Sequence, residues 1–254
     1  MLKVKTKYRH GIVAAIEVVL GLMILATMAF GRDGGNSGLD VFPPNSNALG
    51  KKYKEWTAEW WQFVLSFPPS ENPVLDATGE KCVVGQHGPV WFLVGTFGPG
   101  TAKRDCSIPK GTALFFPVIN SVNINTPNVC GQDSNDIPVD DLRALSASLI
   151  DSVTNLSVEV DGKPVQHLQK KFCIKSIVFD VTLPEDNVFD SPCMGAGLGN
   201  VPAGTYSPAV DDGFYVMLQP LSVGNHTLHI HAESPPSFSL DVTYNLTIVP
   251  VALD

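Results

Sequence analysis

Apolar and polar positions alternate most cleanly near the C-terminus. Phe238, Leu240, Val242, Tyr244, Leu246 and Ile248 take turns with Ser239, Asp241, Thr243, Asn245 and Thr247. Period two predicts a long strand with one face in a core and one in water. Residues 212–220 and 224–232 read as the two strands before it, giving a meander. Leu156, Val158 and Val160 also alternate with polar partners, and Asp161-Gly162 then supplies a hairpin turn. The segments 89–97 and 112–120 are dense apolar runs bounded by Gly and Pro, as strands buried on both faces are, and 172–183 reads as a further strand.

Two segments carry a helical period instead. Tyr53, Trp56, Trp60, Phe63 and Phe67 recur at helical spacing within 49–67, and Pro68-Pro69 stops the ladder. The aromatic stripe predicts a helix lying on a sheet. Residues 139–153 predict a second helix, with Asp140 and Asp141 in the first turn, where the helix dipole favours anions. The expected fold is mainly β: an antiparallel β-sandwich, jelly-roll or immunoglobulin-like, with two accessory helices.

The N-terminus departs from this pattern. Lys3, Lys5, Lys7 and Arg9 precede an almost wholly apolar stretch at 12–30, interrupted by Glu17. A basic start before an apolar run is what export machinery reads, so 1–31 is expected to be a signal peptide or N-terminal membrane anchor. Gly11 ahead of an apolar run with an early Glu17 also allows a pilin-like filament subunit. Residues 32–48 read as a linker, and 49–254 as a single extracytoplasmic domain.

Composition sharpens this. The 254 residues are 44% hydrophobic and 17% charged, too apolar for a disordered chain. Net charge is −8, and residues 32–254, with 13 basic and 24 acidic side chains, carry −11. Nucleic acid is thereby excluded as a partner, since phosphate binding needs a basic surface. Cys82, Cys106, Cys130, Cys173 and Cys193 show no CxxC spacing, and in an exported domain such cysteines form disulfides. Cys82 and Cys106 flank one strand-like run and are the expected pair; one of the other three is left over. Sequons at Asn155, Asn225 and Asn245 fit a surface glycoprotein.

Four strings carry a resemblance: Tyr53-x-Glu55-Trp56-x-Ala58-x-Trp60-Trp61-Gln62; Gln86-x-Gly88-Pro89-Val90-Trp91-Phe92-Leu93 with Gly95-Thr96-Phe97; Cys106-x-Ile108-Pro109-x-Gly111-x-Ala113-Leu114-Phe115-Phe116-Pro117; and Phe238-Ser239-Leu240-Asp241-Val242-Thr243-Tyr244. Over roughly residues 50–250 the chain resembles a family of uncharacterised exported prokaryotic proteins. The resemblance implies export and a shared fold, and it transfers no catalytic residue.

Candidate chemistry concentrates at 225–233. On a strand, His229, His231 and Glu233 share one face, and two imidazoles with a carboxylate suit a first-row divalent metal. The competing reading is an ordinary wet strand face, with His226 a satisfied core histidine. Trp60 and Trp61 invite stacking on a sugar ring, against the alternative that they pack the core. Asp133, Asn135, Asp136, Asp140 and Asp141 form an oxygen-rich patch of the kind that can bind Ca²⁺, but the EF-hand glycine and terminal glutamate are missing, and helix-capping acids in a solvated loop are the preferred reading. Ser107-x-x-Lys110 lacks a helix, the 195–199 glycines lead into Pro202, and no GxSxG occurs. The sequence therefore leads to an exported cell-envelope or surface protein: a non-catalytic binding or structural module, with envelope polysaccharide or protein as its partner. The first alternative is a metal-dependent extracytoplasmic enzyme using His229, His231 and Glu233. The second is the filament subunit.

Overall fold

Residues 39–236 and 238–250 are described by a computed structural model of the chain. The predicted leader, 1–31, lies outside them. In chain order the elements are β1 (Asn47–Ala48), β2 (Lys51–Lys52), α1 (Tyr53–Leu65), β3 (Val90–Phe92), β4 (Gly100–Pro109), β5 (Ala113–Ile124) and α2 (Val139–Ile150). Then follow β6 (Asn155–Val160), β7 (Lys163–Pro164), α3 (Leu168–Lys171), β8 (Cys173–Lys175), β9 (Phe179–Leu183), α4 (Asp190–Gly195), β10 (Gly204–Leu218), β11 (Gly224–Ser234) and β12 (Phe238–Val249).

Two five-stranded sheets face each other. One runs β3-β5-β10-β8, with β9 also on β10; the other runs β4-β12-β11-β6-β7. This is the expected β-sandwich, with one amendment: β3 lies parallel to β5 and β4 parallel to β12, while the other pairings are antiparallel.

The two hydrophobic patterns have different causes. On β11 and β12 the inward residues Leu228, Ile230, Val242, Tyr244 and Leu246 are buried, and they meet Leu114, Phe116, Phe214 and Val216 of the facing sheet. That facing sheet is covered on its other side as well. Trp56, Trp60, Trp61 and Val64 of α1 pack there against Phe115, Tyr215 and Met217. Buried from both sides, β5 and β10 read as near-continuous apolar runs. Each indole withdraws about 200 Å² from water, worth about 5 kcal/mol before conformational entropy is set against it.

Several expected boundaries move. Leu49 and Gly50 have positive φ and turn the β1–β2 hairpin, so α1 begins at Tyr53. The Trp56 indole N–H then ties the helix to the Ala48 carbonyl at 2.9 Å. The second half of the expected linker is docked: Val41 bridges Leu218, and the Tyr53 hydroxyl donates to the Phe42 carbonyl. The expected strand at 172–183 divides into β8 and β9 around exposed Ile177 and Val178. Of 89–97 only Val90–Phe92 pairs as a strand.

Strand β4 was not expected from the sequence at all. Its inward positions are Arg104, Cys106 and Ile108, and the first hides the alternation. The Arg104 side chain, only 2% exposed, donates to the carbonyls of Asp76 and Val94 and to the Tyr244 hydroxyl, and it lies over the Tyr244 ring. Beside it Gly79 presses on β4 so closely that a Cβ there would meet the Asp105 carbonyl oxygen at 2.2 Å. Cys82 is disulfide-bonded to Cys106, and Cys130 to Cys193, with Cα separations of 5.8 and 5.4 Å. Cys173 is the free thiol. Two disulfides point to a non-cytoplasmic compartment. No helix among the described residues is long and apolar enough to cross a membrane.

Candidate functional site on the outer sheet face

The β11–β12 hairpin pairs residues equidistant from Pro236: His231 lies opposite Asp241, His229 opposite Thr243, and Glu233 opposite Ser239. On the other side β6 sets Glu159 against His229 and Ser157 against His231. Because Leu228, Ile230 and Ala232 are consumed by the core, His229, His231 and Glu233 must point outward, as the sequence parity required.

What they point at differs from the expected ligand set. The carboxylate between the two imidazoles belongs to Asp241. His229 Nε2 stands 3.1 Å from both Asp241 oxygens, and His231 Nδ1 stands 3.2 Å from Oδ2. Glu233 lies behind His231, 3.4 Å from its Nε2. Among the described residues no group of three or more His, Cys, Asp or Glu side chains is placed, as it stands, so that it could hold a metal ion. As it stands, the cluster is hydrogen-bonded.

At the end of the same sheet lies an arrangement that sequence reasoning missed. His226 Nδ1 is 2.7 Å from Asp161 Oδ2, and its Nε2 is 2.9 Å from the Ser222 carbonyl and 3.3 Å from Ser222 Oγ. His226 is thus not a core histidine; it closes a polar cleft of about 290 Å³ that Asp161, Lys163, Gln219 and Ser222 also line. Burial disfavours the imidazolium, but the hydrogen bonds to Asp161 and the Ser222 carbonyl, with the Asp161 charge, outweigh it and raise the His226 pKa above 6.5. Burial also opposes ionisation of Asp161. The hydrogen bonds from His226 and the Thr227 amide, with the charges of His226 and Lys163, prevail and hold its carboxyl below 3.8.

These residues have the composition of a Ser-His-Asp triad but not its working state. A triad needs an Nε2 lone pair facing the hydroxyl. Here Nε2 lies closer to the Ser222 carbonyl, at 2.9 Å, than to the hydroxyl, at 3.3 Å, so the ring is turned toward an acceptor rather than toward a proton to be taken. When protonated, the ring can donate from both nitrogens, to Asp161 and to the Ser222 carbonyl, in line with its raised pKa. The trio is a clamp joining the β10–β11 connection to the β6–β7 turn.

The two tryptophans are in the core rather than on a flat exposed face. Their rings meet edge to face at 5.0 Å, and Trp60 Nε1 donates to the Leu93 carbonyl at 2.9 Å. Trp61 Nε1 and the Tyr215 hydroxyl both donate to Asp211 Oδ1, at 2.7 and 2.9 Å. Asp211 is fully buried and its Oδ2 has no partner, so burial pushes its pKa well above the carboxylate range. Buried as they are, Trp60 and Trp61 also line a cleft of about 180 Å³, walled further by Phe97, Pro117 and Phe238.

Two carboxylates of the oxygen-rich patch are engaged in local hydrogen bonds. Asp133 Oδ1 accepts from the Asn135 amide, and Asp136 Oδ1 accepts from Asn125 Nδ2, which leaves those oxygens engaged rather than converging on a Ca²⁺ ion. The three sequon asparagines are exposed. Asn245 Nδ2 donates to Asp105 Oδ1 at 2.7 Å, and Asn225 Oδ1 accepts from Thr247 Oγ1 at 3.2 Å. Asp241 was within reach of sequence reasoning. Placing the hairpin turn at Pro235-Pro236 would have put Asp241 opposite His231. No protein-family profile, curated protein or solved structure matches the chain.

Proposed function

We propose that this chain is an exported cell-envelope or surface protein whose domain is a non-catalytic binding module, working through the outer face of the β4-β12-β11-β6 sheet. One observation carries the reading. Four strands in register turn Thr101, Lys103 and Asp105, then Asp241, Thr243 and Asn245, then Thr227, His229 and His231, then Ser157 and Glu159 to the same side. The other sheet is spent on packing from both sides, so this flat array of hydroxyls, amides, imidazoles and carboxylates is the broad surface left for a partner. Such groups suit hydroxyl-rich envelope polysaccharide. The basic start before 12–30 and the oxidised cysteines support export, with the chain secreted or held at the outer face of the cytoplasmic membrane.

The test has two arms. Full-length chain expressed in bacteria is expected to be cleaved by protease added to spheroplasts; full protection would refute export. Purified chain is expected to co-sediment with insoluble envelope polysaccharide, and Thr243→Arg, a bulky charge at the centre of the face, should weaken this more than tenfold. Equal sedimentation of wild type and variant would refute the surface.

A further inference from the structure

We propose that the same face holds one zinc-like first-row divalent cation between His229, His231 and Asp241, with Glu233 orienting His231. The inference rests on the outer face being the working surface and names what that surface takes up.

The argument is one of donor spacing. In a tetrahedral site with bonds of about 2.0–2.1 Å, neighbouring donor atoms lie about 3.3 Å apart. The His229 Nε2 to Asp241 and His231 Nδ1 to Asp241 separations, 3.1 and 3.2 Å, are edges of that size. Two imidazoles two residues apart on one strand, with a carboxylate opposite on the next, occupy adjoining positions of one face, so side-chain rotation is what would bring the three onto one ion. At present the Asp241 carboxylate sits where both rings converge and holds them by hydrogen bonds. Its side chain is 43% exposed, so it is free to rotate outward and admit an ion between itself and the rings.

The second shell is already in place. A metal-bound histidine almost always gives its other ring N–H to a carboxylate or carbonyl, which fixes the tautomer and strengthens the bond. If His231 ligates through Nδ1, its Nε2–H is left facing Glu233 Oε1, 3.4 Å away. Glu233 is therefore a positioning residue and not a ligand. Imidazole donors select zinc, copper or nickel over calcium and magnesium, which prefer all-oxygen shells. With three protein ligands, the fourth position opens to solvent and to an oxygen donor of a partner. The −11 charge of residues 32–254 favours cation capture generally.

Zinc chloride alone, titrated calorimetrically into metal-stripped full-length chain, tests the assignment. One saturating equivalent is expected, and calcium chloride should give none. His229→Ala, His231→Ala and Asp241→Asn should each weaken zinc by more than about tenfold, and Glu233→Gln by about tenfold, the usual range for an outer-shell carboxylate. Cobalt(II) in place of zinc should show the intense visible bands of a four-coordinate site. Asp186→Ala, which removes an exposed carboxylate after β9, away from this face, should bind as the wild type does. No saturable zinc binding, wild-type affinity in the His229→Ala His231→Ala double variant, or equal weakening by Asp186→Ala would each overturn the site. Polysaccharide binding that fails while zinc binds would remove the proposed partner and leave the cation site standing; the converse would remove the cation site alone.

Discussion

Separating Asp161 from His226 should remove stability only within a defined pH window. The two groups are 2.7 Å apart, with side-chain exposures of 45% and 12%, so neither surface nor core values apply unmodified. Exposed ion pairs contribute about 0.2–1 kcal/mol, and hydrogen bonds to charged groups about 1.5–3 kcal/mol. With Asp161 nearly half in water, a coupling of about 1 kcal/mol is expected. The His226 pKa is raised on folding, so its contribution is complete below 6.5 and fades as pH rises through the folded value. The Asp161 pKa is lowered, so its contribution is complete above 3.8 and fades as pH falls through the folded value. The pair is therefore at full strength between about pH 4 and 6.5 and weakens on either side. Urea denaturation of wild type, Asp161→Asn, His226→Gln and the double variant yields the coupling directly. It should be about 1 kcal/mol at pH 5.5, smaller at pH 9, where the charge attraction is gone and at most the Nδ1–H hydrogen bond of a neutral ring is left, and reduced by salt at pH 5.5. A coupling equal at pH 5.5 and 9 would refute the ionic account, and so would none at pH 5.5.

Asp211→Asn should gain stability relative to wild type as pH rises. The folded carboxyl keeps its proton well above 3.8, so wild type loses up to about 1.4 kcal/mol per pH unit through that window and the amide does not; a pH-independent difference would refute this. Arg104→Met leaves the Asp76 carbonyl without its side-chain donor and the Val94 carbonyl with the Tyr244 hydroxyl alone, and should cost about 3 kcal/mol in urea; a loss under 1 kcal/mol would contradict the anchoring of β4 through Arg104. Replacing Cys130 and Cys193 by alanine opens a crosslink of sequence separation 63 and should cost about 4 kcal/mol, against about 3 kcal/mol for Cys82 and Cys106, whose separation is 24; the reverse order would refute the entropic account. Iodoacetamide should label Cys173 alone in the unreduced protein, and slowly at neutral pH, because burial and the neighbouring Asp212 push its thiol up to about 11; rapid labelling at pH 7 would contradict that environment.

Much of the architecture was legible because hydrophobic periodicity is local. A strand half in water must alternate, so β12 could be read residue by residue. A strand covered on both faces must be apolar throughout, as in the first half of β5. The aromatic stripe of α1 likewise announced a helix lying on a sheet. By the same logic β4 was illegible: Arg104 occupies a core position, and its reason for being tolerated, two carbonyls and a tyrosine hydroxyl, comes from residues 76, 94 and 244.

The candidate site divides in the same way. Parity alone put His229, His231 and Glu233 on one face, since alternate side chains of any strand share a side. Which carboxylate stands between the imidazoles depended on strand register, and register gave that place to Asp241 rather than Glu233. His226 needed more still, a partner 65 residues away in the turn after β6. Apart from β4, the faces of the long strands, the helical stripe and the chemical groups on each side follow from backbone periods of two and 3.6 residues and can be read locally. Strand neighbours, parallel edge pairs and the meeting of distant charged groups arise on folding, because those contacts join segments whose separation along the chain carries no local signal.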